Sequence, residues 1–415
     1  MHGLRRWLVM AVLSVSGGVI YLLPFLQEVY YKPLMQALQL DNTQVGGLMS
    51  AFGFTSMLAY FPGGWLADRV SPRKLLTMSL LATGAAGLYF ATFPSYWQSL
   101  AIHAFWGVSI TLLFWGAMIR ATRGWAPPEQ QGKAFGILET GRGLGEVLSS
   151  VALLAIFGWL GSGDRALSTV VTLFSCLILL LGLLCWLVLD DEASHARESE
   201  PVRVGPREVM QVLRMPVVWL IALVILCGYC AYWGTFRFTP YATDMFGLSV
   251  TVAAAISVAK MWLKPVAALI AGFVSDRLGI ASSVAGLFAA LSASFLLFAF
   301  LPGSPALLPL MLVNVALASL AVFAMRGIYF ALLEEGRVPM AVTGTAAGLI
   351  SVVAYTPDIF MPLLGGVLID RDPGATGYRN FFLCVAGITT VGLMAALTIR
   401  KQVIVSAAAN ARVAE

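Results

Sequence analysis

Gly64-Trp65-Leu66-Ala67-Asp68-Arg69-Val70-Ser71-Pro72-Arg73-Lys74 is a short charged stretch between two apolar runs, 43–63 and 75–93, each long enough to cross a bilayer. Charges placed there belong in a tight turn at a membrane surface. Gly64 offers close helix packing, Asp68 a fixed acceptor, and Arg69, Arg73 and Lys74 three cations that prefer the cytoplasmic side. The stretch sets an orientation and marks a hinge. A shorter copy, Gly272-Phe273-Val274-Ser275-Asp276-Arg277-Leu278-Gly279, follows 208 residues later, and its first Gly and its Asp both keep that offset.

The 415 residues are 59% hydrophobic and 11% charged, whereas a soluble domain carries about 25% charged residues. Lipid must solvate such a chain. Apolar segments fall at 7–25, 43–63, 75–93, 96–122, 132–158 and 167–189, then at 217–238, 249–273, 282–301, 307–333, 342–369 and 381–399. Backbone groups in hydrocarbon must be satisfied within their own segment, so the spans are helices. The expected fold is an all-α membrane protein of about twelve transmembrane helices in two bundles of six, 1–189 and 216–401. The polar stretch 190–215 links them, and 402–415 forms a tail.

Net charge is +5, which in a soluble protein would raise nucleic acid as a partner. The positions of the cations point elsewhere. With the N-terminus inside, Arg5, Arg6, Arg69, Arg73, Lys74, Arg120, Arg123, Lys133 and the linker arginines fall on the cytoplasmic side, against Lys32, Arg165, Arg371 and Arg379 outside. This is the positive-inside pattern of a multi-pass protein with both termini cytoplasmic, as in a bacterial inner membrane. The five cysteines all lie in apolar runs; Cys227 and Cys230 form a CxxC with no second Cys/His pair near it, so small core residues are expected and no metal or cofactor. No Walker sequence, metal-ligand cluster or nucleophile elbow points to an enzyme. The run 7–26 is of span length and lacks a small-residue cleavage site, so no cleaved leader is expected.

Gly64, Leu66, Ala67, Asp68, Arg69, Arg73 and Lys74 resemble the loop between helices 2 and 3 of the major facilitator superfamily, with Ser71 where Gly is usual and Pro72 where Arg is usual. The copy at Gly272, Asp276 and Arg277 strengthens the resemblance. It implies secondary transport by alternating access, with a site between the halves near the midplane. It also implies a cytoplasmic gate made by Gly64, Asp68, Arg69, Arg73, Lys74 and Arg120, repeated by Gly272, Asp276, Arg277 and Arg326. Asp68 would face the start of span 11 at Thr343 to Thr345, where the helix dipole favours an anion. A monomer is expected, with membrane lipid, a small molecule and protons as its partners.

Ionisable groups inside spans cost several kcal/mol unless paired or hydrated, so each needs a reason. Glu139, Arg142 and Glu146 share one face of span 5 by their spacings of three and four. They read either as a self-neutralised triad or as a cavity face. Lys260 and Lys264 share one face of span 8 with no acid in the same span, which suits an anion arriving from solution or a carboxylate on another helix. The resemblance implies that span 5 approaches span 8, so a contact such as Glu146 with Lys260 is expected. Asp358 follows Pro357 deep in span 11, and is a proton site or a fixed partner for a lysine; Glu139 and Glu146 are rival proton sites. His103 can titrate as well or pack with a hydrogen bond. Tyr21, Tyr229, Tyr232 and Trp233 either touch substrate or belong to the interfacial aromatic belt.

The deep cations Arg142, Lys260, Lys264 and Arg326 outnumber the deep acids Glu139, Glu146 and Asp358. A small organic anion moved with protons is the expected substrate. A proton-driven drug exporter and a non-transporting membrane sensor of the same fold are the alternatives; the exporters usually carry a Gly-Pro pattern in span 5, where this chain has Gly141, Gly143 and Gly145 without proline.

Overall fold

Hydrocarbon offers a backbone no hydrogen bonds, and a computed structural model meets that demand with helices alone among the residues it describes, 2–67, 69–126, 130–190, 206–339 and 343–414. Twelve helical columns follow one another: α1 (His2–Val19), α2 (Asn42–Ala67), α3 (Pro72–Phe90), α4 (Tyr96–Trp125), α5 (Gln131–Trp159), α6 (Asp164–Val188), α7 (Pro216–Phe246), α8 (Val250–Met261 continued by Leu263–Leu278), α9 (Ile280–Phe300), α10 (Pro305–Glu335), α11 (Thr343–Ala354 continued by Pro357–Arg371) and α12 (Ala375–Ala414). Among the described residues nine helices are long and apolar enough to cross a membrane. The twelve columns coincide with the twelve apolar segments.

Two compact units emerge, Met1–Pro201 with Leu248–Val258, and Val202–Gly247 with Ala259–Glu415. Residues 191–205 of the expected linker lie outside the described residues, and its end forms a helix at Pro206–Leu213. The stretch expected as a tail continues α12 as far as Ala414.

In the first unit, α1 and α5 pack at backbone distance. A methyl placed on Gly141 would come within 2.7 Å of the Ser14 hydroxyl, and one on Gly17 within 3.0 Å of the Arg142 side chain. Small residues are what allow such an approach. In α4 the segment Ser109–Trp115 widens into a π-helix, where Ser79 Oγ donates to Ser109 O at 2.8 Å.

The second unit owes its irregularities to proline. Pro240 has no N–H for the carbonyl of Phe236, and α7 tightens to a 3-10 turn at Thr235–Arg237. Pro265 does the same to Met261, and α8 breaks at Trp262. Pro357 withholds a donor from Val353 O, and Thr356 Oγ1 donates to that carbonyl at 2.7 Å, closing the gap. All three breaks lie beside the buried charges of this unit.

Candidate functional site

Positions 229, 232, 233 and 236 recur at helical spacing, so Tyr229, Tyr232, Trp233 and Phe236 gather along α7 where it tightens. Their rings touch in series: Tyr229 and Tyr232 at 5.5 Å between centroids, Tyr232 and Phe236 at 5.2 Å, Trp233 and Phe236 at 4.5 Å. From α11, Tyr355 meets Tyr229 edge-on at 4.9 Å. From α10, the Tyr329 hydroxyl lies 3.5 Å from that of Tyr355.

Charged groups surround this cluster. The Arg326 guanidinium sits 4.2 Å from the Tyr232 ring centre and 5.5 Å from that of Tyr229. Among the described residues it forms no salt bridge. Asp358, half-buried, accepts a hydrogen bond from Trp233 Nε1 at 2.9 Å, with the Tyr229 hydroxyl also bonded to it. Lys260 is 2% exposed; its ammonium donates to Thr235 O and Oγ1, both at 3.3 Å, and lies 5.2 Å from the Phe236 ring centre. The carbonyl it meets belongs to the tightened turn of α7. Lys264, half-buried, lies 5.7 Å from the Phe323 ring centre. Two cations and one carboxylate thus share one aromatic cluster within the second unit, and rings link each to the next.

Cationic and aromatic groups in this arrangement suit an anion. A guanidinium has five donors in a planar fork matched to carboxylate or phosphate. The tyrosine faces hold that plane, and their hydroxyls can bond a polar substrate.

Arg142, in the first unit, is arranged differently. Its Nε donates to Gly17 O at 3.2 Å, its NH1 reaches Glu139 at 2.5 Å, and its guanidinium lies 5.3 Å from the Trp115 ring centre. The Glu139 side chain is 60% exposed and that of Arg142 18%. Glu146 is half-buried where α5 meets α1: a methyl on Gly18 would come within 3.0 Å of its amide nitrogen. Tyr21 packs edge-on against Phe25 at 6.4 Å. His103 bonds Ser99 O through Nδ1 at 2.8 Å and sits between Phe90 and Trp106, a packing role.

At the charged turn, the close backbone approach belongs to Gly63, where a methyl would fall 2.7 Å from Thr111 O; around Gly64 nothing among the described residues lies within 4 Å. The close contact with α4 in this structure is thus made by Gly63, one position before the glycine of the motif. Asp68 lies outside the described residues, as do the side chains of Thr343 to Thr345. Arg120 donates to Ala67 O at 2.5 Å, fixing the end of α2. Ser71 caps α3 by accepting from Lys74 N at 3.4 Å, and Pro72 takes the first helical position. The two departures from the usual pattern are good helix-starting residues. Arg69 folds over Trp65, and Arg73 over Trp186. In the second copy, Asp276 and Arg277 are exposed and nothing among the described residues lies within 4 Å of a methyl on Gly272, while Glu335 accepts from Ala281 N at 2.5 Å and caps α9.

Tyr329, Tyr355 and Phe236 join the cluster without having been singled out from sequence. Their signal was spacing: Tyr329 follows Arg326 by three residues and Tyr355 precedes Asp358 by three. Arg326, expected with the gate, stands with Tyr229, Tyr232 and the aromatic group instead.

Comparison with known proteins agrees with this architecture. The model of the Major Facilitator Superfamily matches residues 7–356. Inner membrane protein YihN of Escherichia coli is 29% identical over 409 residues, covering 96% of each chain. The hexuronate transporter of Bacillus subtilis is 24% identical, covering 97% of this chain and 93% of its own. A crystal structure of a bacterial homologue of the human lysosomal transporter Spinster shares the fold with a TM-score of 0.77 at 16% identity, over 96% of this chain and 98% of that one. Twelve helical columns, a repeated charged turn and a family match over most of the length lead to one conclusion: the chain belongs to the major facilitator superfamily, a family of multi-pass membrane transporters and not of enzymes.

Proposed function

We propose that this transporter moves a small organic anion together with protons by alternating access, with Arg326 as the anchor for the anion and Asp358 as the proton site. The observation that carries the reading is the guanidinium of Arg326, held against Tyr232 and Tyr229 with no salt bridge among the described residues. A cation kept in a partly dry site without a salt bridge is costly unless an anion arrives from outside. The name of the hexuronate transporter, a relative over nearly the whole chain, supports a hydroxyl-bearing organic acid.

Coupling follows from proximity. Asp358 and Arg326 interact electrostatically within the cluster, so an ionised Asp358 competes with the substrate for Arg326 and repels it. A proton on Asp358 removes both effects. Proton and anion then bind cooperatively, each strengthening the other by the same factor. Lys260, resting on Thr235 O, adds positive potential to the cluster without leaving its carbonyl.

Purified protein in proteoliposomes tests this. A hexuronate is expected to stabilise the protein in a thermal-shift screen, and an imposed pH gradient is expected to drive its uptake. Stabilisation by organic cations alone would overturn the anion assignment and favour a drug exporter. Flux indifferent to the gradient would remove the proton.

A further inference from the structure

One rim of the first unit carries the same construction three times. Arg6 lies 4.3 Å from the ring centre of Trp125 and its Nε donates to Trp125 O at 3.1 Å. Arg69 lies 4.1 Å from Trp65 and donates to Trp65 O at 3.1 Å. Arg73 lies 4.1 Å from Trp186 and donates to Trp186 O at 2.8 Å. Each time a guanidinium covers an indole and bonds that tryptophan's own carbonyl in the last turn of a helix, α4, α2 or α6. Capping an orphan carbonyl explains one bond per arginine. It does not explain why the residue capped is a tryptophan on three separate helices, exposed at Trp65 and Trp186 and half-buried at Trp125.

We propose that the clamps of Arg6 and Arg69 are binding sites for the headgroups of anionic phospholipids. A guanidinium has five donors, and Arg6 and Arg69 each give one to a carbonyl, so the outer edge of the fork remains for a phosphodiester. The indole fixes the plane of the fork and lowers the ordering cost of binding. What commits the site to lipid over free phosphate is the apolar surface leading from it. Phe54, Leu58 and Trp65 are 49%, 59% and 54% exposed along α2, and Leu180, Leu183 and Leu187 are 52%, 54% and 71% exposed along α6. A phosphate held at the clamp has its acyl chains laid along these faces. Tryptophan and arginine at the level of the headgroups are each favourable there, and a cation near an anionic surface is worth about fivefold in binding.

The test uses the full chain in mixed micelles and needs no substrate. Phosphatidylglycerol with brominated acyl chains is expected to quench tryptophan fluorescence at lower mole fraction than brominated phosphatidylcholine. Arg6→Gln and Arg69→Gln are each expected to weaken retention of phosphatidylglycerol in native mass spectrometry about fivefold at one site. Equal quenching by the two lipids in the unmodified protein would overturn the proposal even if the variants fail to fold. So would inorganic phosphate displacing phosphatidylglycerol at equal concentration, or a folded double variant that retains as much lipid.

Discussion

Arg142 and Arg326 are both arginines set in membrane helices, yet their neighbours treat them in opposite ways. Arg142 is fixed by a backbone carbonyl of α1 and by Glu139 one turn away on its own helix. Arg326 rests on the faces of Tyr232 and Tyr229, and Asp358, which acts on it electrostatically, is held by an indole. The first arrangement settles its charge locally and ties two helices together. The second leaves the charge to be settled by a visitor. Net charge per half would not have separated them.

The sharpest way to break this contrast is Arg326→Ala. Truncating a desolvated partner of an ion pair costs about 2 kcal/mol or more, so anion affinity in proteoliposomes should fall at least about 30-fold. Arg326→Lys should recover only part of it, because an ammonium has neither the planar fork nor the stacking face.

Asp358→Asn comes next. It keeps a hydrogen-bond acceptor for Trp233 while removing the ionisation, so uptake driven by a pH gradient should be lost while exchange of anion for anion persists. Loss of both, with the protein folded, would make Asp358 structural.

Gly18→Ala addresses the other arginine. A methyl there would meet the backbone of Arg142 and Glu146, and overpacking of this kind costs about 1 to 3 kcal/mol. Thermal unfolding should shift down, while the KM of the protein that survives should hold.

The smallest expected effect belongs to Arg142→Gln. Its partner is mostly exposed and such pairs contribute about 0 to 1 kcal/mol, so KM for the anion should stay within about threefold. A loss as large as that of Arg326→Ala would erase the distinction between the two.

The helical columns were readable because hydrocarbon admits so few backbone solutions, and the repeated turn because charges between spans have few places to go. Gly63 and Gly64 differ by only 100° around a helix, which sequence cannot resolve without knowing where α4 lies. Arg326 reads from its position as a residue near the end of its span. In a helix, however, side chains slant toward the N-terminus, and in α10 that direction carries a long guanidinium back into the span. Tyr329 and Tyr355 were missed because a tyrosine in a membrane helix is most simply an interfacial residue. Only the meeting of α7, α10 and α11 shows otherwise.

The hydroxyl of Thr356 bonded to Val353 O has a wider consequence. At the bend in α11 a hydroxyl of the helix itself replaces the donor that Pro357 lacks. The bend is thus written into the chain at two adjacent positions, and loss of the hydroxyl alone would leave Val353 O with only the longer bond from Thr356 N at 3.3 Å.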